Sequence, residues 1–90
     1  MNQLREELNK RLGPEASEED WTIRNGALIH KLANIDPTAT IGSGAIIAQE
    51  AIIRARANIG EDAIIGPGSF IGPGVRIGEQ DIIGPGSFIG

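Results

Sequence analysis

Isoleucine stands at positions 23, 29, 35, 41, 47, 53, 59, 65, 71, 77, 83 and 89, every sixth residue without an insertion. A helix cannot hold that spacing on one face over such a length, because six residues is not a whole number of 3.6-residue turns. The residue two places before each isoleucine is nearly always small: Ala27, Ala33, Ala39, Ala45, Ala51, Ala57, Ala63, Ser69, Val75 and Ser87. Along a strand, residues two apart share a side, so the small residue and the isoleucine point inward together while the residue between them points out. Glycine follows the isoleucine at 42, 60, 66, 72, 78, 84 and 90, and Pro-Gly occurs at 67–68, 73–74 and 85–86. These are corner residues. Each hexapeptide therefore reads as a short strand plus a corner.

A longer period lies over the short one. The nine residues from Ile64 to Gly72 recur letter for letter from Ile82 to Gly90, a shift of eighteen. Three hexapeptides then make one coil, with equivalent residues stacked about 4.8 Å apart on successive coils. The chain divides into 1–21, a helix and cap, and 22–90, the repeat. The repeat supplies between three and four coils, a triangular prism on the order of 18 Å tall. Ahead of it, Leu4, Leu8 and Leu12 recur at fourfold spacing, with Glu6 and Glu7 four residues before Lys10 and Arg11, which predicts a short amphipathic helix over 1–12. Gly13-Pro14 stops that helix. Ser17, with Asp20 three residues on, has the spacing of a cap for a second helical turn.

The pattern Ile-Gly-x-x-small-x, and the stretch from Ile29 to Gly42 (IHKLANIDPTATIG), resemble the hexapeptide-repeat superfamily, which includes UDP-N-acetylglucosamine acyltransferase, many O-acetyltransferases and the gamma-class carbonic anhydrases. The resemblance implies an all-β fold, a left-handed parallel β-helix; the handedness comes from the family, since parallel crossovers in general favour the right-handed sense. It also implies trimers, which are usual in that superfamily.

Sorting the outward residues by the eighteen-residue period separates three faces. One is polar: Thr22, Thr40, Asn58 and Arg76. The second reads Leu28, Ile46, Ile64 and Ile82, and the third Asn34, Ile52, Phe70 and Phe88. Apolar stripes of that length mark an interaction surface. The expected interface of a homotrimer is Leu28, Ile46, Ile64, Ile82, Ile52, Phe70 and Phe88, with the polar face left in water. Alternatively, the N-terminal helix lies over one apolar face through Leu4, Leu8 and Leu12; the two readings coexist. Ninety residues with no cysteine form a small domain that needs support from something other than a disulfide, and a partner subunit fits.

Catalytic chemistry has few candidates. Acyl transfer in the resembled enzymes uses a histidine as general base. The single histidine, His30, falls at a corner of the first coil with no carboxylate placed by the repeat to orient it, so it reads as a surface residue. One histidine also excludes the three-histidine zinc site of the carbonic anhydrases. Arg54, Arg56 and Arg76 are the candidates for an acyl-carrier or coenzyme A phosphate, but they stand among acidic neighbours. Ser69 and Ser87 point inward as core residues. No metal or cofactor is expected. Asp81 takes an inward position above Ala45 and Ala63, where a carboxylate is costly in an apolar interior; the reading predicts that Asp81→Ala stabilises the fold, or else that the last coil is open and hydrated there.

A formal net charge of −4 and the lack of a basic stripe argue against nucleic acid. Met1 to Leu12 is charged and no apolar run spans a bilayer, so neither signal peptide nor membrane anchor is expected, and the chain reads as soluble and cytoplasmic. Gly90 ends in mid-coil, which predicts either a longer β-helix or end-to-end stacking of copies at the uncapped C-terminal coil. The favoured expectation is a non-catalytic, trimer-forming structural module. The alternative is the N-terminal portion of a hexapeptide-repeat acyltransferase, dependent on acyl-coenzyme A or acyl-carrier protein, whose catalytic coils lie outside this chain.

Overall fold

The computed structural model describes residues 2–90; Met1, the first residue of the expected helical segment, lies outside them. Helix α1 spans Gln3–Arg11. It starts at Asn2, whose side-chain oxygen accepts from the Arg5 N–H at 3.1 Å. At its end the Leu8 carbonyl accepts from the N–H groups of both Leu12 and Gly13, with Gly13 at φ +115°, the positive φ that favours glycine just past a helix. Ser17 caps a turn and not a second helix: its Oγ accepts from the Glu19 N–H at 3.2 Å. No helix of the described residues is long and apolar enough to cross a membrane.

Eleven two- to four-residue strands follow the six-residue repeat from β2 (Ala27–His30) to β12 (Phe88–Ile89). They wind into a parallel β-solenoid with three sides. Face A carries β2, β5 (Ile46–Ile47), β8 (Ile64–Ile65) and β11 (Ile82–Ile83). Face B carries β3 (Asn34–Ile35), β6 (Ile52–Ile53), β9 (Phe70–Ile71) and β12. Face C carries β4 (Thr40–Ile41), β7 (Asn58–Ile59) and β10 (Arg76–Ile77). Register is in steps of eighteen on every side: Leu28 opposite Ile46, Ile52 opposite Phe70, Asn58 opposite Arg76. The inward row packs as expected. Ala45, Ala51, Ala57 and Ala63 are buried with Ile47, Ile53, Ile59, Ile65 and Ile71 in one core. Ser69 is buried among them, and its hydroxyl donates to Gly84 O at 2.9 Å, which meets the cost of placing a polar atom there.

Two features of the corners set how closely coils stack. A Cβ on Gly60 would lie 2.6 Å from backbone atoms of Gly78 and Glu79, so the glycine after the isoleucine lets successive coils touch through their backbones. The second feature is a left-handed residue every six positions, at 44, 50, 56, 62, 68, 74, 80 and 86. Glycine takes it at four of these, and after Pro67 the Gly68 position has the arrangement of a type II turn, with Ser69 N donating to Gly66 O. Glu50, Arg56, Asp62 and Gln80 adopt it with φ between 60° and 63°, at a backbone cost that the ladders above and below hold in place.

The first repeat departs from the expected pattern. Residues 21–30 are an antiparallel hairpin: β1 (Trp21–Arg24) pairs with β2, Thr22 opposite Ile29 and Ile23 opposite Leu28. The turn between them is Asn25-Gly26, with both residues at positive φ, as a type I′ hairpin demands. So β1 extends face A above the first coil. Thr22 belongs to that sheet and not to polar face C, and Ile23 points outward with Leu28, outside the solenoid core. Asn-Gly is the strongest short-range hairpin signal in the chain, and the unbroken isoleucine spacing masked it.

Candidate assembly surface

The two apolar faces do not present the same surface. On face A, Leu8 of α1 is buried against Leu28 and Ile46, with Leu4, Ala16, Trp21 and Ile23 packed around them. Arg11 ties the helix down by donating to Gly44 O at a coil corner and pairing with Glu7 on its own helix. The helix therefore occupies the upper half of face A, and Leu28 and Ile46, both expected at an intersubunit contact, are covered by the chain itself. Below the helix the stripe continues uncovered, with Ile64 37% and Ile82 74% exposed.

Face B has no helix over it. Ile52 and Phe70 are half-buried, Phe88 is 75% exposed, and the rings of Phe70 and Phe88 stack with centroids 4.8 Å apart and planes 7° from parallel. Between the two faces the corner is Gly66-Pro67-Gly68 and, one coil on, Gly84-Pro85-Gly86, which carries no charge. The uncovered apolar surface thus wraps one uncharged edge of the prism over the coils that hold Ile64, Ile82, Phe70 and Phe88.

The charged candidates are dispersed. Asp36 accepts from the Thr38 hydroxyl at 2.7 Å and the Thr38 N–H at 2.8 Å. These two hydrogen bonds, the hydroxyl's first, lower its pKa, and the nearby positive charges of Arg54 and Arg56 add to the effect. Arg54 and Arg56 share the corner between faces B and C with this carboxylate. Arg76 lies on face C, in register with Asn58. The three arginines are thus split between a corner that holds a carboxylate and a neighbouring flat face.

His30 packs edge-on against Trp21, its cross-strand partner, with ring centroids 5.0 Å apart and an interplanar angle of 83°. Its Nδ1 accepts from the Leu32 N–H at 3.1 Å. The ring is half-buried, where the sequence suggested an exposed corner. Sequence reasoning missed Trp21 as its partner because the pair exists only across the hairpin.

Of the two expectations for Asp81, the structure agrees with the open, hydrated position and not with a carboxylate enclosed in an apolar interior. It is exposed, and its Oδ2 accepts from the Gly78 N–H at 2.9 Å. At the equivalent positions one and two coils earlier that amide donates to a carbonyl of the next coil, Gly60 to Ile77 and Gly42 to Ile59. The carboxylate supplies the acceptor that a carbonyl supplies elsewhere on face C. Ser87, on the same coil, donates to Gly84 O at 2.8 Å, the carbonyl that Ser69 also uses, so both serine hydroxyls are committed to the backbone.

Residues 56–90 match the family model described as bacterial transferase hexapeptide (six repeats). The match covers the coils in which glycine most regularly follows isoleucine; earlier coils carry His30, Asp36, Ala48 and Arg54 in that place. No curated protein matches the chain. The family match and the three-sided solenoid together fit the hexapeptide-repeat superfamily.

Proposed function

We propose that this hexapeptide-repeat solenoid is a non-catalytic structural module that assembles as a homotrimer through the edge between faces A and B. One observation carries the reading: Ile64, Ile82, Phe70 and Phe88 form an apolar surface around the part of that edge made by the uncharged corners Gly66-Pro67-Gly68 and Gly84-Pro85-Gly86, with Ile82 74% and Phe88 75% exposed. Large side chains grouped in that way are removed from water by a partner at a gain of about 25 cal/mol per Å². A threefold axis along that edge brings the three copies together through it and leaves face C, with Thr40, Asn58 and Arg76, in water.

Light scattering on the purified chain tests it. The expected mass is three times the 9.5 kDa of one chain, and the double variant Ile82→Lys with Phe88→Lys is expected to run as a folded monomer. A wild-type monomer at 9.5 kDa refutes the assembly. Turnover of an acyl donor that disappears in His30→Ala refutes the non-catalytic part.

A further inference from the structure

Strand β1 raises face A above the first coil, whereas faces B and C begin lower, at β3 and β4. Cross-strand partners lie on the same side of a sheet. Thr22 pairs with Ile29 and Arg24 with Ala27, so Thr22 and Arg24 project to the inner side of this raised wall, over the end of the core. Beneath them is a cavity of about 290 Å³, floored by Ile29, Ala33 and Ile35. Thr22, Arg24 and Lys31 stand around it, with His30 completing the lining.

In a chain of net charge −4, no carboxylate lines this space. Lys31 Nζ is paired at 3.1 Å with Asp20, which lies outside the lining. Arg24 is exposed and has no carboxylate within ion-pair distance among the described residues. A mouth with an apolar floor, an unpaired guanidinium and a hydroxyl on one wall suits a molecule that is apolar at one end and anionic at the other. The guanidinium fork matches a carboxylate in two parallel hydrogen bonds. The volume is at the lower end of small-molecule sites, which restricts the apolar end to a short chain. We propose that the mouth of the first coil binds a short-chain aliphatic carboxylate, with the alkyl group on Ile29, Ala33 and Ile35 and the carboxylate held by Arg24, assisted by Thr22 and Lys31.

Amide NMR titration of the full chain with sodium hexanoate tests this site. The expected result is saturable shifts at Thr22, Arg24, Lys31 and Ile35, with affinity at least tenfold weaker in Arg24→Gln. Hexanol, hexylamine and inorganic phosphate at the same concentration are expected to give no saturable shifts there, because each lacks one end of the recognised pair. Arg24 is exposed at a strand end, so the variant keeps its fold, and unchanged amide shifts elsewhere verify that. Equal binding of hexanoate by Arg24→Gln, equal binding of hexanol, shifts confined to Ile64, Ile82 and Phe88, or no saturation at millimolar hexanoate each overturn the proposal.

Discussion

Phe70 and Phe88 sit one coil apart on face B with ring centroids 4.8 Å apart and planes 7° from parallel, a separation equal to the strand spacing of about 4.8 Å. The ladder dictates the stack: in-register parallel pairing of β9 and β12 places identical side chains directly above one another. The pair presents a flat aromatic surface beside the Ile64 and Ile82 row across the uncharged edge. If that surface is the trimer contact, the melting temperature rises with protein concentration, because association stabilises only the folded chain. In Ile82→Lys with Phe88→Lys the concentration dependence is expected to vanish. Calorimetry over a range of concentrations measures both.

Leu8 joins the helix to face A. It is fully buried against Leu28 and Ile46, and truncation of such a side chain costs roughly 2–5 kcal/mol. Leu8→Ala is therefore expected to lower the urea midpoint clearly. Leu12→Ala, at a half-exposed site beyond the helix, is expected to change it little.

Two glycines separate close approach from backbone conformation. Gly60→Ala places a methyl 2.6 Å from the next coil's backbone, where neither side has a flexible atom to move, and is expected to destabilise by about 1–3 kcal/mol. At Gly68, φ is +71° and nothing lies within 4 Å of an added Cβ. Asparagine tolerates that conformation and also reduces the entropy of the unfolded chain, so Gly68→Asn is expected to stay within about 1 kcal/mol of wild type. Thermal melts of both variants make the comparison.

Asp36 sets an acid dependence. Its pKa is lowered below the ordinary 3.8 by the Thr38 hydroxyl, the Thr38 amide and the charges of Arg54 and Arg56. A carboxylate whose pKa is lowered by folding contributes stability that is complete above its unfolded value and lost as pH falls through the folded one. Carbon-detected NMR titration is expected to place the Asp36 midpoint below 3.8. Thr38→Val is expected to raise it, since the largest cause is removed.

Asp81→Ala now carries the opposite sign from the one its inward position suggested. The substitution deletes the acceptor for the Gly78 N–H and is expected to destabilise at the low end of about 0.5–1.5 kcal/mol, because the site is exposed. Asp81→Asn retains an acceptor and is expected to be close to neutral. A higher melting temperature for the alanine variant contradicts this account.

The isoleucine period with the small residue two places before it, and the eighteen-residue recurrence of Ile64–Gly72 at Ile82–Gly90, were enough to determine three sheets, their register and the core from Ala27 onward, because strand alternation fixes which side chains point inward once the coil length is known. The first repeat was legible only in part: Asn25-Gly26 signals a hairpin locally, yet its residues keep the same spacing, so the choice between a coil and a hairpin rests on backbone φ. Tertiary structure alone decided which apolar face the helix takes. Leu4, Leu8 and Leu12 fit either face by pattern, but the hairpin directs Trp21 and Ile23 to the outer side of face A beside Leu28, and the short connection from Leu12 to Trp21 brings α1 down there. Covering the upper half of face A is what leaves Ile64 and Ile82 as the uncovered part of its apolar stripe, beside Phe70 and Phe88, a selection that depends on contacts between segments distant in sequence.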